Sequence, residues 1–232
     1  MSEQFIDFIG LKIPIKTHPR RTRLALRIAA NGEVALLAPT QASIKSISAF
    51  AKAHQAWLTQ KLALFAQRPA LPTFNCSAGE RWPYLGQELV LQFHPQTSVE
   101  RYAECLFLPE TTDKAWQVLV GWYQTQAKLY LPSRFDFWIQ YTGLQPTSLQ
   151  IKSYKSRWGS CDRLRRIQLN WKLIAMPQWV IDYVMVHELC HLAHMNHSPA
   201  FWRLVEQHYP KTSDAKRWMK THSPAIMRQL TP

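Results

Sequence analysis

Residues 184–197 read VMVHELCHLAHMNH, and this stretch decides how the rest of the chain is organised. In an α-helix, residues four apart lie on one face, so His187 and His191 can bind a single metal ion. Glu188 lies about 100° further round the helix, where it can hold a water on the ion but is badly placed to be a ligand. Metal-assisted hydrolysis requires this set of residues: two imidazoles fix a Lewis acid, and a carboxylate takes a proton from water.

A catalytic zinc site usually has three protein ligands and an open position. The candidates for the third ligand are His194, His197, Glu206 and His208. His194 is seven residues after His187, roughly 10 Å along the helix axis, and we expect it at the rim of the site. Asn196 tolerates the left-handed conformation, and a turn there would bring His197 back towards the first two ligands. We therefore predict that His187, His191 and His197 bind zinc.

The competing interpretation is a core helix that carries histidines by chance. With nine His and nine Glu in the chain, random placement gives only ~0.013 His-Glu-x-x-His matches. Residues 180–192 are apolar nearly all round the helix, which is typical of a buried helix. The pattern therefore favours a metal site built into the core.

Composition limits the class of protein. The 232 residues suffice for one large domain or two small ones, and with 47% apolar residues the chain can bury a sizeable core. Residues 1–5 have no signal-peptide pattern, and no run of 18 apolar residues predicts a membrane span. Four cysteines without Cys-x-x-Cys spacing predict reduced thiols, and we expect a cytoplasmic protein without membrane partners.

The sequence predicts an α+β fold that is divided into two parts or forms one continuous domain. Residues 1–110 form a β-rich part with one long helix, and residues 111–232 form a compact catalytic part with a small sheet and an active-site helix. In the first part, alternation predicts a strand over residues 5–16. Further predicted features are a hairpin turn at Asn31-Gly32, a helix from Thr40 or Ser43 to Phe65, and a connection over Arg68–Pro72.

The second part is predicted to open with a helix capped by Thr112 or Asp113. Pro132 should kink or divide this helix, and Gly143 can end the second segment. Strands are predicted over Leu149–Ser153 and Ile167–Trp171, with a loop or hairpin tip between them. After His197, Ser198 and Pro199 predict the start of another helix.

Two groups of residues resemble a known family. Tyr183–Leu192, Asn196–Ser198 and Phe201-Trp202 resemble the signature of the YgjP-like metallopeptidases, and Ser156–Cys161 with Leu169-Asn170 resemble the second motif of that family. The resemblance implies a zinc-dependent hydrolase with a zincin-like domain, related in plan to SprT-type proteins. It implies His187, His191 and His197 as ligands and Glu188 as the catalytic carboxylate. A small Gly-containing turn is expected after the second motif, but residues 162–166 read DRLRR.

These patterns favour a zinc metallopeptidase acting on a protein or peptide held in extended form along a strand edge near the second motif. Ser156, Trp158 and Ser160 are candidates to line the cleft, although a tight hairpin with a core Trp explains them equally well. Cys161 is expected to be a buried thiol rather than a ligand. The alternatives are a metal-dependent hydrolase of a non-peptide substrate, such as a small amide or nucleotide, and a basic nucleic-acid-binding protein with a structural metal.

The formal net charge of +13 leaves a further possibility open. Two predicted hairpins concentrate cations: Arg20, Arg21, Arg23 and Arg27 in the first, and Lys152, Lys155, Arg157, Arg163, Arg165 and Arg166 in the second. If they form one face, nucleic acid should bind weakly and with a steep salt dependence. Strand alternation could instead send the two groups to different faces.

Overall fold

The computed structural model describes residues 4–29, 32–66, 76–110 and 114–231 and has the mixed α+β architecture that the sequence predicts. The chain divides into two compact units, Met1–Leu71 and Pro72–Pro232. Some predicted features lie outside the described residues: Asn31 of the hairpin turn, the Arg68–Pro72 connection, and the helix cap at Thr112 or Asp113.

The first unit contains a four-stranded sheet in the order β1-β2-β4-β3. Its strands are β1 (Gln4–Phe8), β2 (Leu11–His18), β3 (Ala25–Ile28) and β4 (Val34–Pro39). The prediction of one strand over residues 5–16 was wrong, since β1 and β2 form an antiparallel hairpin. The turn lies at Ile9-Gly10, where both residues have positive φ, and the alternating pattern of the sequence does not show this reversal.

Two helices cover one face of this sheet. They are α1 (Ile44–Ala53), capped by Ser43, and α2 (Gln55–Ala66). The predicted long helix is thus divided at His54, whose ring nitrogen donates to the Phe50 carbonyl at 2.9 Å. The core of this unit consists of Ile13, Ile15, Val34, Leu36, Ala38, Ile47, Ala51 and Leu58.

The second unit begins with a sheet in the order β5-β6-β8-β7 and a long helix, α3 (Ala115–Thr142). The strands are β5 (Arg81–Tyr84), β6 (Gln87–His94), β7 (Glu100–Tyr102) and β8 (Cys105–Pro109). Helix α3 continues through Pro132 and ends at Gly143, which has φ 72°. Leu91 and Leu106 share one core with Leu119 of α3, so these strands lie in the same unit as α3.

A smaller sheet has the order β10-β11-β9, with β9 (Ser148–Lys152), β10 (Gly159–Cys161) and β11 (Arg166–Asn170). The two strands predicted on either side of the loop or hairpin tip do not pair as a hairpin with each other, because β9 and β11 run parallel. Strand β10 lies within their connection and pairs antiparallel with β11, which makes β10 an edge strand. A parallel pair needs such a crossover, and the sequence pattern does not distinguish it from a hairpin.

A 3-10 helix (Trp171–Ala175) leads into α4 (Gln178–Cys190), followed by α5 (Pro199–His208) and α6 (Thr212–Gln229). Helix α4 is buried along most of its length. Asp182 on α4 accepts two hydrogen bonds from Arg134, at 2.6 and 2.7 Å, and one from Trp138 at 2.9 Å. This ion pair ties α4 to α3. Within the described ranges, no helix is both long and apolar enough to cross a membrane.

Candidate metal centre

The end of α4 brings three histidines together. His187 lies in its last turn, and His191 follows directly after its last residue, Cys190. The chain then reverses, and α5 begins at Pro199 with Ser198 as its cap, accepting from the Phe201 amide at 3.4 Å as predicted. The reversal does not use the predicted left-handed Asn196, which is absent from the described non-glycine residues with positive φ.

The geometry of the three imidazoles suits one metal ion. The Nε2 atoms of His187 and His197 lie 3.1 Å apart. The candidate ligand atoms of His187, His191 and His197 all lie within 4.8 Å of one another. Tetrahedral zinc with Zn–N bonds of about 2.05 Å would place two nitrogens about 3.3 Å apart. The residues present therefore fit an ion with small side-chain adjustments.

Hydrogen bonding and burial keep these imidazoles in the form that binds metal. His191 Nδ1 lies 3.0 Å from the His194 carbonyl oxygen, which accepts a hydrogen bond from the Nδ1–H group. The other ring nitrogen, Nε2, is then left free to bind an ion. Burial, with added repulsion from His191, His197 and Lys216, lowers the pKa of His187 to about 3. Burial also lowers the pKa of His191. Neutral imidazole is the metal-binding form.

Two aromatic residues of α5 brace the cluster. The Phe201 ring is fully buried, and its centroid lies 5.0, 4.5 and 4.9 Å from those of His187, His191 and His197. Trp202 stacks on His197 with a centroid distance of 5.5 Å. These contacts support the turn that carries His197.

Glu188 points away from solvent towards strand β10. Glu188 is only 6% exposed to solvent. A Cβ atom built on Gly159 would lie 2.6 Å from Glu188 Oε1 and 2.7 Å from Cγ. Burial raises the pKa of Glu188 to about 8, and the charge of Arg157 lowers it in part. Gly159 therefore provides the space that the carboxylate occupies, a role that sequence reasoning missed, although a glycine inside a strand marks such close approaches.

Asn170 is a second residue whose role was not predicted. Its buried side-chain amide donates to the carbonyls of Tyr154 at 3.1 Å and Arg157 at 2.9 Å. Its backbone amide donates to the Trp158 carbonyl at 2.8 Å. Asn170 thus holds in place the loop that leads into β10 and carries Arg157.

The other candidates named from the sequence occupy varied positions. Ser156 is exposed, whereas Trp158 and Ser160 are half-buried, with Trp158 packed against the core. Cys161 is half-buried rather than fully buried, and burial raises the pKa of its thiol to about 11. Among the described residues, the histidine cluster does not extend to His194, Glu206 or His208.

The free edge of β10 offers backbone hydrogen-bonding groups. Bonds from Asn170 N to Trp158 O and from Asp162 N to Arg166 O fix which β10 residues face β11. Because hydrogen-bonded and non-bonded pairs alternate, Ser160 faces β11 while Gly159 and Cys161 direct their amides and carbonyls outwards. Within the described residues, no strand pairs with this outer side of β10.

Comparisons with known proteins give three findings. A family model described as YgjP-like, metallopeptidase domain, matches residues 22–222. No curated protein matches the chain. Two solved structures of metallopeptidase zymogens resemble part of it. Abylysin of Pyrococcus abyssi is 22% identical, covers 40% of this chain and 95% of its own, and has a TM-score of 0.36. Jannalysin of Methanocaldococcus jannaschii is 14% identical, covers 39% of this chain and 93% of its own, and has a TM-score of 0.36. Both TM-scores are below 0.5 and do not establish a common fold.

Proposed function

This chain belongs to the YgjP-like metallopeptidase domain family and is a metal-dependent peptidase, and we propose that it uses zinc held by His187, His191 and His197, with Glu188 as the general base. One observation carries the proposal: three imidazoles converge at the end of the buried helix α4, and Glu188, the residue after the first of them, is a buried carboxylate within that helix.

The ligand set supports zinc at an open site. Three imidazoles are a common catalytic zinc set, and structural zinc is usually closed by a fourth Cys or His. The described part of the chain offers three such groups and no fourth within the cluster. A bound zinc ion would supply a Lewis acid that polarises the scissile carbonyl and makes water more acidic.

Glu188 is proposed to accept the proton of the attacking water and to pass it to the departing amine. Burial raises the pKa of Glu188, so its ionised form is a stronger base than a carboxylate in water, and the positive charge of a bound zinc ion would favour that ionised form. Gly159 and the loop held by Asn170 position this carboxylate, and Arg157 acts on it through its charge.

An extended peptide is the substrate that the site accommodates best. A peptide strand laid along β10 would bond to the outward amides and carbonyls of Gly159 and Cys161, beside Glu188. Ser156, Trp158 and Ser160 belong to the same segment, and we propose that they flank the bound strand. A small amide or a nucleotide would leave this backbone edge unused, so the edge favours a peptide.

Glu188→Gln tests the general base. The substitution keeps the size of the side chain but cannot take a proton, so zinc content and folding should remain while cleavage of a peptide library falls by ~10²–10⁴-fold. Zinc is measured by elemental analysis and cleavage by mass spectrometry. Equal cleavage by both zinc-loaded proteins would exclude Glu188 as the base.

The ligand assignment needs a matched pair of variants. His197→Ala should lose tight zinc binding, because two remaining ligands are too few for a catalytic site. His194→Ala should keep zinc, since His194 supports His191 through a backbone carbonyl that alanine retains. The reverse result would show that the third ligand was assigned wrongly.

A further inference from the structure

A cationic groove lies on the first unit, apart from the chemistry proposed for the second. In the described part of that unit, residues 4–66, nine Lys and Arg side chains accompany only two acidic ones. Six of the nine line two cavities that share Lys16, Arg27 and Leu37. The six are Lys12, Lys16, Arg20, Arg21, Arg23 and Arg27. We call this surface the basic groove.

Strand alternation explains why these cations share one face. Ile13 and Ile15 of β2 point into the core, so Lys12 and Lys16 point to the opposite face of the sheet. Lys16 pairs with Leu37, and Arg27 pairs with Ala35, which places Arg27 on the same face. The connection between β2 and β3 contributes the other three arginines.

The two cavities have volumes of about 650 and 750 Å³, the range of ligand-binding clefts. Among the described residues, those lining the cavity at the connection include no acidic residue, and those lining the other cavity include one, Glu33. Within the described residues, none of the six cations forms an ion pair. Arg21 donates to the Arg23 carbonyl at 3.3 Å, and Lys12 Nζ lies 5.0 Å from the Phe5 ring centroid, but neither contact neutralises a charge, so the charges remain available to an anionic ligand.

The second cationic cluster differs from the first. Arg166 forms an ion pair with Asp162 at 2.7 Å, and Arg165 donates to the Gln145 carbonyl at 2.9 Å. The Asp162 carboxylate neutralises the charge of Arg166, whereas the six cations of the basic groove have no ion-pair partner among the described residues, so the groove is the better anion site.

We propose that the basic groove binds the sugar-phosphate backbone of a nucleic acid. Four of the six cations are arginines, whose guanidinium forks match phosphate oxygens. The described residues that line the two cavities include no Phe, Tyr or Trp, and Lys12 Nζ lies over the neighbouring Phe5 ring at 5.0 Å, so phosphate contacts rather than base stacking dominate binding. An acidic peptide fits less well, because β2 and β4 bond to each other here and present no backbone edge to an extended chain.

The test uses the full-length, zinc-loaded protein and two matched triple variants. Arg20, Arg21 and Arg23 are changed to Gln in the groove variant, and Lys45, Lys52 and Lys61 in the control variant. The control cations are exposed on α1 and α2 and line neither cavity. Both variants lower the net charge by three, so they match in total charge and differ in where it is lost and in the removal of arginines rather than lysines.

Binding of fluorescent duplex DNA and of single-stranded RNA is measured by anisotropy between 50 and 200 mM salt. For duplex DNA, the groove variant should bind about tenfold more weakly or worse, and its log–log salt slope should be shallower by about 2.7, at ~0.9 per lost phosphate contact. The control variant should change little. Comparing the two probes distinguishes DNA from RNA as the source of the phosphates.

Three outcomes would overturn the proposal. Equal losses in both variants would mean that total charge, and not the groove, binds the probe. Absence of binding at 50 mM salt would exclude nucleic acid. Tighter groove-dependent binding of polyglutamate, or of phosphatidylserine vesicles, would identify an acidic protein segment or a membrane surface as the ligand instead. Circular dichroism of both variants establishes that they fold.

Discussion

At the scale of single residues, the space beside Glu188 depends on the absence of a side chain at Gly159. Gly159→Ala would place a methyl group 2.6 Å from Glu188 Oε1 and 2.7 Å from Cγ, too close for either atom to stay. Because the carboxyl is buried, it must turn or β10 must shift. We expect zinc content to be retained while kcat falls by about 10²-fold, within the range of a displaced general base.

Ser160→Ala is the matched control for that substitution. Ser160 is the next residue of β10, and its side chain points to the other face of the strand. Its loss should leave kcat nearly unchanged, and the loss of any contact that Ser160 makes with the bound peptide should raise KM instead. If both variants lose activity equally, the strand as a whole is sensitive to substitution, and the specific contact between Gly159 and Glu188 is not the cause.

Lys172 provides a pH-dependent contribution to stability. It is 3% exposed, donates to the Met227 carbonyl at 3.4 Å and to Thr231 Oγ1, and burial lowers its pKa to about 8. Between pH 8 and about 10.5, the unfolded chain keeps a proton that the native protein has released, so this residue makes stability rise with pH. At pH 7 the native protein instead bears the cost of a buried charge.

Lys172→Met should therefore stabilise the protein at pH 7, by at most about 3 kcal/mol, and the gain should disappear as pH approaches 10.5. Urea unfolding of both proteins at several pH values measures the difference. Both proteins contain the same tyrosines and cysteines, so the contribution of their titration cancels in the difference between the two free energies of unfolding. A difference that is constant with pH would show that the charge of Lys172 is not its source.

At the scale of helices and strands, the Arg134–Asp182 pair positions α4 against α3. Asp182→Ala would leave a guanidinium and the Trp138 indole without their acceptor, and removing one partner of a buried pair costs about 3–5 kcal/mol. Since α4 also carries His187, zinc affinity should fall as well. Asp214→Ala is the control, because its partner Arg217 is 77% exposed and such pairs contribute only about 0–1 kcal/mol. Urea unfolding would contradict this view if both variants lost equal stability.

At the scale of the whole molecule, each unit has its own core. The second core draws on residues from Cys76 to Leu230, and the first on residues up to Leu62. A fragment of residues 72–232 should therefore unfold cooperatively and bind one zinc. A fragment of residues 111–232 lacks Leu89, Leu91, Leu106 and Leu108, which pack in the same core as α3, and it should not fold. Thermal unfolding and zinc analysis test both, and a cooperative, zinc-binding 111–232 fragment would restore the boundary predicted from sequence.

The amino-acid sequence by itself determined the α+β class, the metallopeptidase family and the candidate histidines, because each depends on short-range patterns. A helical turn places His187 and His191 together, and a cap at Ser198 restarts the chain after His197. Only the tertiary structure decided the parallel pairing of β9 with β11, the division of the chain before β5, and the approach of Gly159 to Glu188. Strand partners and buried contacts join residues far apart in the chain, and their choice depends on how much apolar surface each arrangement buries. Local periodicity does not contain that comparison.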